Sequence, residues 1–119
     1  MSVRAVRGAI CVETDEREVL LSATERLLSA LLERNAIATE DLISVLFTVT
    51  DDLRSVFPAE AARRMGLGKV PLLCAREIDV PGAMPRVVRV LAHFSSDRGL
   101  DDVAHVYLDG AESLRDDLA

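Results

Sequence analysis

Residues 43–50 read ISVLFTVT, and the rest of the fold hangs on that octet. Its β-branched and aromatic side chains suit a pleated surface. Apolar residues occupy both alternating sets of positions, so a strand here requires burial from two directions. Helices on one side cannot supply both, and self-association is one way to cover the second face.

Outward from this strand the elements alternate. Upstream, Thr39-Glu40-Asp41 reads as a short turn. Before it, Val19, Leu20, Ala23, Leu27 and Leu31 recur on one face of a helix, opposite Glu25, Arg26, Glu33 and Arg34. Asp15 followed by Glu18 has N-cap spacing, and the helix should end near Asn35. Residues 3–13 form a first strand. Downstream, 51–57 is a connection, and 58–66 is a short helix opened by Pro58 and closed by Gly66. Strands are expected at 70–77, 86–94 and 104–108. Pro81-Gly82 marks a loop, and Asp101 can cap a single helical turn. The order β-α-β-α-β-β-β implies one α+β domain spanning 1–119, a mixed sheet with two helices on one face.

Composition narrows the function. Half of the 119 residues are hydrophobic, enough for one core, but only 3% are aromatic. The formal charge of −6 argues against a nucleic-acid partner, which draws on a basic footprint. A small anion is still admissible, because a local arginine cluster can oppose the global charge. Lys69 is the only lysine, so the positive charge is almost entirely arginine. No apolar run approaches the ~18 residues that span a bilayer, so no membrane partner is expected. Nor does the start read as a signal peptide. The expected location is the cytoplasm. Cys11 and Cys74 are unclustered and make no disulfide framework.

Several common chemistries lack their parts. Gly66-Leu67-Gly68-Lys69 misses the spacing and the following Ser/Thr of a phosphate loop. His93 and His105 have no carboxylate or cysteine at ligand spacing, so no metal site is expected. No nucleophile elbow is present, and neither cysteine sits in a nucleophile context. An enzyme with this sequence would work by positioning and electrostatics, without a cofactor.

Some charged and aromatic groups remain. Arg7 and Arg89 lie inside strands, Glu77 ends a strand soon after Cys74, and Tyr107 lies in the last strand. Arg63 falls on the short helix after Phe57. A lone strand arginine ordinarily faces solvent, Cys74 can be a small core hydrophobe, and Tyr107 a packed aromatic. Periodicity leaves these alternatives open.

The blocks VRAVRGA (3–9), FTVTDDLRSVFPAEAAR (47–63), VPLLCARE (70–77), PRVVRVL (85–91), HVYL (105–108) and LRDDL (114–118) stand in order along the chain. Together they resemble the monofunctional, trimeric chorismate mutases. The resemblance implies a homotrimer whose sheets close a pseudo-α/β-barrel, with active sites at subunit interfaces. It implies isomerisation of chorismate to prephenate by an intramolecular Claisen rearrangement, in aromatic amino acid biosynthesis. By that resemblance Arg89 would donate to the ether oxygen and a carboxylate of this dianionic substrate. Arg7, assisted by Tyr107, would hold a carboxylate, while Glu77 and Cys74 would contact the ring hydroxyl. Phe57, Leu73 and Leu114 would line the pocket, and Arg63 would approach from the neighbouring subunit. Glu60 stands where some members carry lysine, and Asp116 where the typical ending has proline. A short tail beyond it would give slower closure over the pocket or weaker substrate binding. Two other readings stay open: a non-catalytic trimeric binding or regulatory module of the same fold, and a small-molecule lyase or deaminase. The second would need an acid/base pair, which the sequence lacks beyond Glu77.

Overall fold

The computed structural model describes residues 2–118, with side chains as far as Leu114; the side chain of Asp116 lies outside that range. Five strands and two α-helices follow the expected order: β1 (Ser2–Cys11), α1 (Arg17–Arg34), β2 (Leu42–Val49), α2 (Ala59–Arg64), β3 (Leu72–Arg76), β4 (Val87–Ser96) and β5 (Val106–Leu108). The sheet runs β3-β2-β4-β1-β5. It is mixed: β4 is antiparallel to β1 and β2, whereas β5 runs parallel to β1 and β3 parallel to β2.

Pleating sorts each strand onto two faces. Val6 and Ile10 of β1, Val45 and Phe47 of β2, and Val88, Val90, Ala92 and Phe94 of β4 turn to the helices. There they meet Leu20, Leu27 and Leu31 of α1 and Ala59 and Ala62 of α2. β1 passes so close beneath α1 that it needs Gly8. A Cβ on Gly8 would lie 3.0 Å from the Val106 carbonyl oxygen, 3.1 Å from Leu27 and 3.2 Å from Leu31.

The differences from the sequence reading have local causes. Asp15 does not cap α1. The residue before that helix is Glu16, without a capping side-chain bond. The Asp15 carboxylate instead accepts from the backbone N–H groups of Arg54 and Ser55, both at 3.0 Å, and ties down the connection before α2. β4 starts one residue late because Arg86 holds a left-handed φ of 49°. Its N–H is taken by the Asp52 carboxylate rather than by a strand. β5 starts at Val106 because Ala104 is engaged by Asn35, whose side chain both donates to and accepts from its backbone. In the single turn Leu100–Asp102, it is Asp102 and not Asp101 that accepts from the Gly99 N–H. A 3₁₀ segment, Ala111–Leu118, had no counterpart in the sequence reading.

That segment matters for the far side of the sheet. Ala111 and Leu114 join Ala9, Val87 and Tyr107 in a second, small apolar cluster. The described residues leave the rest of that face uncovered within one chain. Leu73 on β3 is 61% exposed, and Val3 at the start of β1 is 57% exposed.

Candidate active site

The uncovered face carries a row of residues set by strand pairing. Arg89 on β4 lies opposite Thr48 on β2 and Ala9 on β1, and Ala9 lies opposite Tyr107 on β5. One pleat away along the same face, Arg7 pairs with Leu91, which pairs with Leu46. Ala9 is small and buried, and leaves open space between Arg89 and Tyr107. These residues, with Glu77 and Leu114, border a cleft of 240 Å3.

Glu77 reaches the cleft from just beyond β3, where its N–H still bonds to the Val49 carbonyl at 2.9 Å. Its Oε1 accepts from the Thr48 hydroxyl at 2.8 Å and lies 3.7 Å from Arg89 Nε. The backbone N–H of Arg7 donates to His105 Nδ1 at 3.0 Å, which secures β1 where β5 begins. The Arg7 guanidinium itself meets no hydrogen-bonding or ion-pairing partner among the described residues. Among the described residues, two guanidinium groups against one carboxylate leave the cleft net positive, in a chain whose formal charge is −6. Such a concave cationic patch concentrates small anions.

The remaining expected site residues lie elsewhere. Leu73 pairs with Leu46 on the same face as the cleft. Cys74 pairs with Phe47 and turns with it towards the helix-side core, away from Arg89. It borders a second cleft at the sheet edge together with Phe57, which is 71% exposed. Arg63 projects from α2, and its guanidinium makes no hydrogen bond or ion pair with a described residue. One chain therefore assembles Arg7, Glu77, Arg89, Tyr107 and Leu114, and holds Phe57, Arg63 and Cys74 apart from them. Glu60 is paired with Arg17 of α1.

Thr48 was missed as a cleft residue. The available signal was its hydroxyl within a largely apolar octet, two places from Leu46 on the same face of the strand. Cys11 gains no nucleophilic character. Burial, followed by the Glu112 carboxylate, pushes its thiol up despite the opposing Arg86 charge, and its sulfur rests 3.3 Å from Met84 Sδ. His93 faces Ser44 at 3.2 Å, and among the described residues no cluster of His, Cys, Asp or Glu could hold a metal ion. What the cleft offers is fixed charge and hydrogen-bond donors aimed into a partly apolar cavity.

The family model for chorismate mutase type I matches residues 3–118. A curated chorismate mutase AroH from Thermus thermophilus is 56% identical over 117 residues, covering 98% of this chain and 96% of that protein. Chorismate mutase AroH from Bacillus subtilis (strain 168) is 39% identical over 120 residues, covering 100% and 94%. A solved chorismate mutase from Clostridium thermocellum superposes with a TM-score of 0.90 at 42% identity, covering 92% of this chain and 97% of that one.

Proposed function

The chain belongs to the chorismate mutase type I family and is an isomerase of that kind, and we propose that it rearranges chorismate to prephenate in the cleft around Arg89. The observation that carries this placement is the pair of available guanidinium groups, Arg7 and Arg89, on one sheet face beside a single carboxylate. Chorismate brings two carboxylates, a ring hydroxyl and an enol-ether bridge. Its rearrangement breaks one C–O bond and forms one C–C bond within the same molecule, with no proton, nucleophile or electron supplied.

Two effects lower such a barrier. The first is holding the substrate in the compact conformer in which the reacting carbons meet. Orientation contributes up to about 7–11 kcal/mol in bimolecular cases. A unimolecular reaction starts with less entropy to lose and draws less from this source. The second is stabilisation of separating charge. As the ether bond breaks, the bridging oxygen becomes negative and the ring positive. Arg89 donates to that oxygen and to the neighbouring carboxylate, and its planar fork serves both at once. Glu77 accepts from the ring hydroxyl and its charge favours the positive ring. Arg7 holds the second carboxylate, and Tyr107 assists it. Donors fixed in place before the reaction are worth most where charge develops.

The second part of the proposal is that three chains assemble, with each cleft completed by a neighbour. The uncovered sheet face and the exposed Leu73 favour such an assembly. Phe57 and Cys74, which border the second cleft, and Arg63 on α2 are then the residues offered to the next. Prephenate feeds aromatic amino acid biosynthesis, and the cytoplasm is the proposed location.

Loss of chorismate absorbance with purified protein in chelator-containing buffer tests the proposal. A catalysed rate in that buffer is expected. Binding of chorismate without turnover would instead favour a non-catalytic module of the same fold.

A further inference from the structure

We infer that Thr48 is a positioning residue for the rearrangement: its hydroxyl anchors Glu77 Oε1, so that Arg89 keeps its donors for the substrate. The inference rests on the proposed placement of the reaction around Arg89.

An arginine and a carboxylate within reach of each other ordinarily close into a fork of two short hydrogen bonds. Here they do not. Arg89 Nε stays 3.7 Å from Glu77 Oε1, outside the ~2.7–3.2 Å range of an N–H···O bond. Oε1 is held by Thr48 at 2.8 Å instead. The direction of that bond is fixed by chemistry. An ionised carboxylate only accepts, so the threonine donates its one proton. Thr48 is also a stiff anchor. It lies within β2, directly opposite Arg89 across the β2–β4 ladder, and its branched side chain has few rotamers. Released from Thr48, Glu77 would be free to close the fork with Arg89. The donors meant for the ether oxygen would then be occupied before chorismate arrived. Threonine also favours strands through its branched shape, so the test separates its hydroxyl from that shape.

Thr48→Val keeps the branched shape and removes the donor, and Thr48→Ser keeps the donor. In a chorismate-disappearance assay, Thr48→Val is expected to lose roughly ten- to a hundredfold in kcat/KM, the range of a hydrogen bond to a charged group. Thr48→Ser should regain most of it, and both variants should melt near the wild type. In a Glu77→Gln background the same Thr48→Val change should cost less than about threefold, because the carboxylate that could capture Arg89 is gone. Wild-type kcat/KM in Thr48→Val would overturn the inference. So would an undiminished loss in the Glu77→Gln background, since Thr48 would then act by another route. Absence of turnover in the wild type would remove the proposed reaction and this inference with it, an outcome distinct from an active wild type with an indifferent Thr48.

Discussion

Arg89 Nε and Glu77 Oε1 stand 3.7 Å apart, close enough to attract and too far to hydrogen-bond. With side chains 44% and 30% exposed, the pair is screened by water and contributes little to stability. Its value is electrostatic. In the proposed site the carboxylate would steady the guanidinium on the cleft face while leaving its N–H groups available to an incoming anion.

Arg89→Lys replaces a planar fork by a point charge. It is expected to lower kcat by at least about 10²–10³, the cost of removing one preorganised donor. The fold and the proposed assembly should persist, because Arg89 is exposed and not part of the buried core. Initial rates of chorismate loss, with sedimentation on the same sample, check both halves. Wild-type turnover would remove Arg89 from its role.

If Arg63 completes a neighbour's cleft, two inactive variants should rescue each other. Arg89→Ala and Arg63→Ala proteins, each severely impaired alone, are expected to regain activity when unfolded together and refolded as a mixture. Mixed assemblies then contain clefts with both arginines intact. A mixture no more active than its components would place Arg63 and Arg89 in the same subunit's site, or Arg63 in none.

Gly8→Ala should destabilise the fold by about 1–3 kcal/mol, the usual range for overpacking. The added methyl would meet Val106 backbone at 3.0 Å, and a backbone atom cannot step aside as a side-chain end can. The strain falls on β5, which carries Tyr107, so KM should rise as well. Denaturation midpoints at one fixed protein concentration, with kinetics, read the two effects separately.

Asn35→Ala should cost about 1–3 kcal/mol through unsatisfied backbone groups. Asn35 is 2% exposed. Its amide donates to the carbonyls of Leu31 and Ala104 and accepts from the Ala104 N–H at 2.7 Å, which joins the end of α1 to the approach to β5. Urea unfolding at fixed protein concentration measures the loss.

Asp15 predicts an acid limb in stability. Desolvation pushes its carboxyl up, but the hydrogen bonds from Arg54 and Ser55 and the Arg54 charge outweigh that effect and hold it below the usual range. A group depressed in the folded state stabilises it fully above its unfolded value, near ~3.9, and progressively less as pH falls towards the folded value. The difference in melting temperature between wild type and Asp15→Ala should therefore be constant near neutrality and shrink below about pH 4. A difference that grows with acid would contradict the sign.

The elements were readable along the chain because their signals are local. The one-face helical spacing from Val19 to Leu31, the β-branched octet 43–50, and Pro58 with Gly66 each act over a few residues. The departures arose where a distant group intervened: Asp15 reaching Arg54, Asp52 turning Arg86, Asn35 holding Ala104. No periodicity encodes a bond across tens of residues. The 3₁₀ segment Ala111–Leu118 escaped for a related reason, since short tight turns carry little pattern of their own.

By itself, the sequence determined the α+β class, the order of strands and helices, and, through blocks kept in order from residue 3 to 118, the family and its reaction. It could not say which arginines were available or which way Cys74 turned. Side chains alternate along a strand, so a one-residue change of register exchanges core for cleft. Only the pairing of Thr48 with Arg89, Ala9 with Tyr107, and Cys74 with Phe47 settles which face each residue occupies. That pairing set Arg89 on the open face beside an anchored Glu77, and Cys74 against the core.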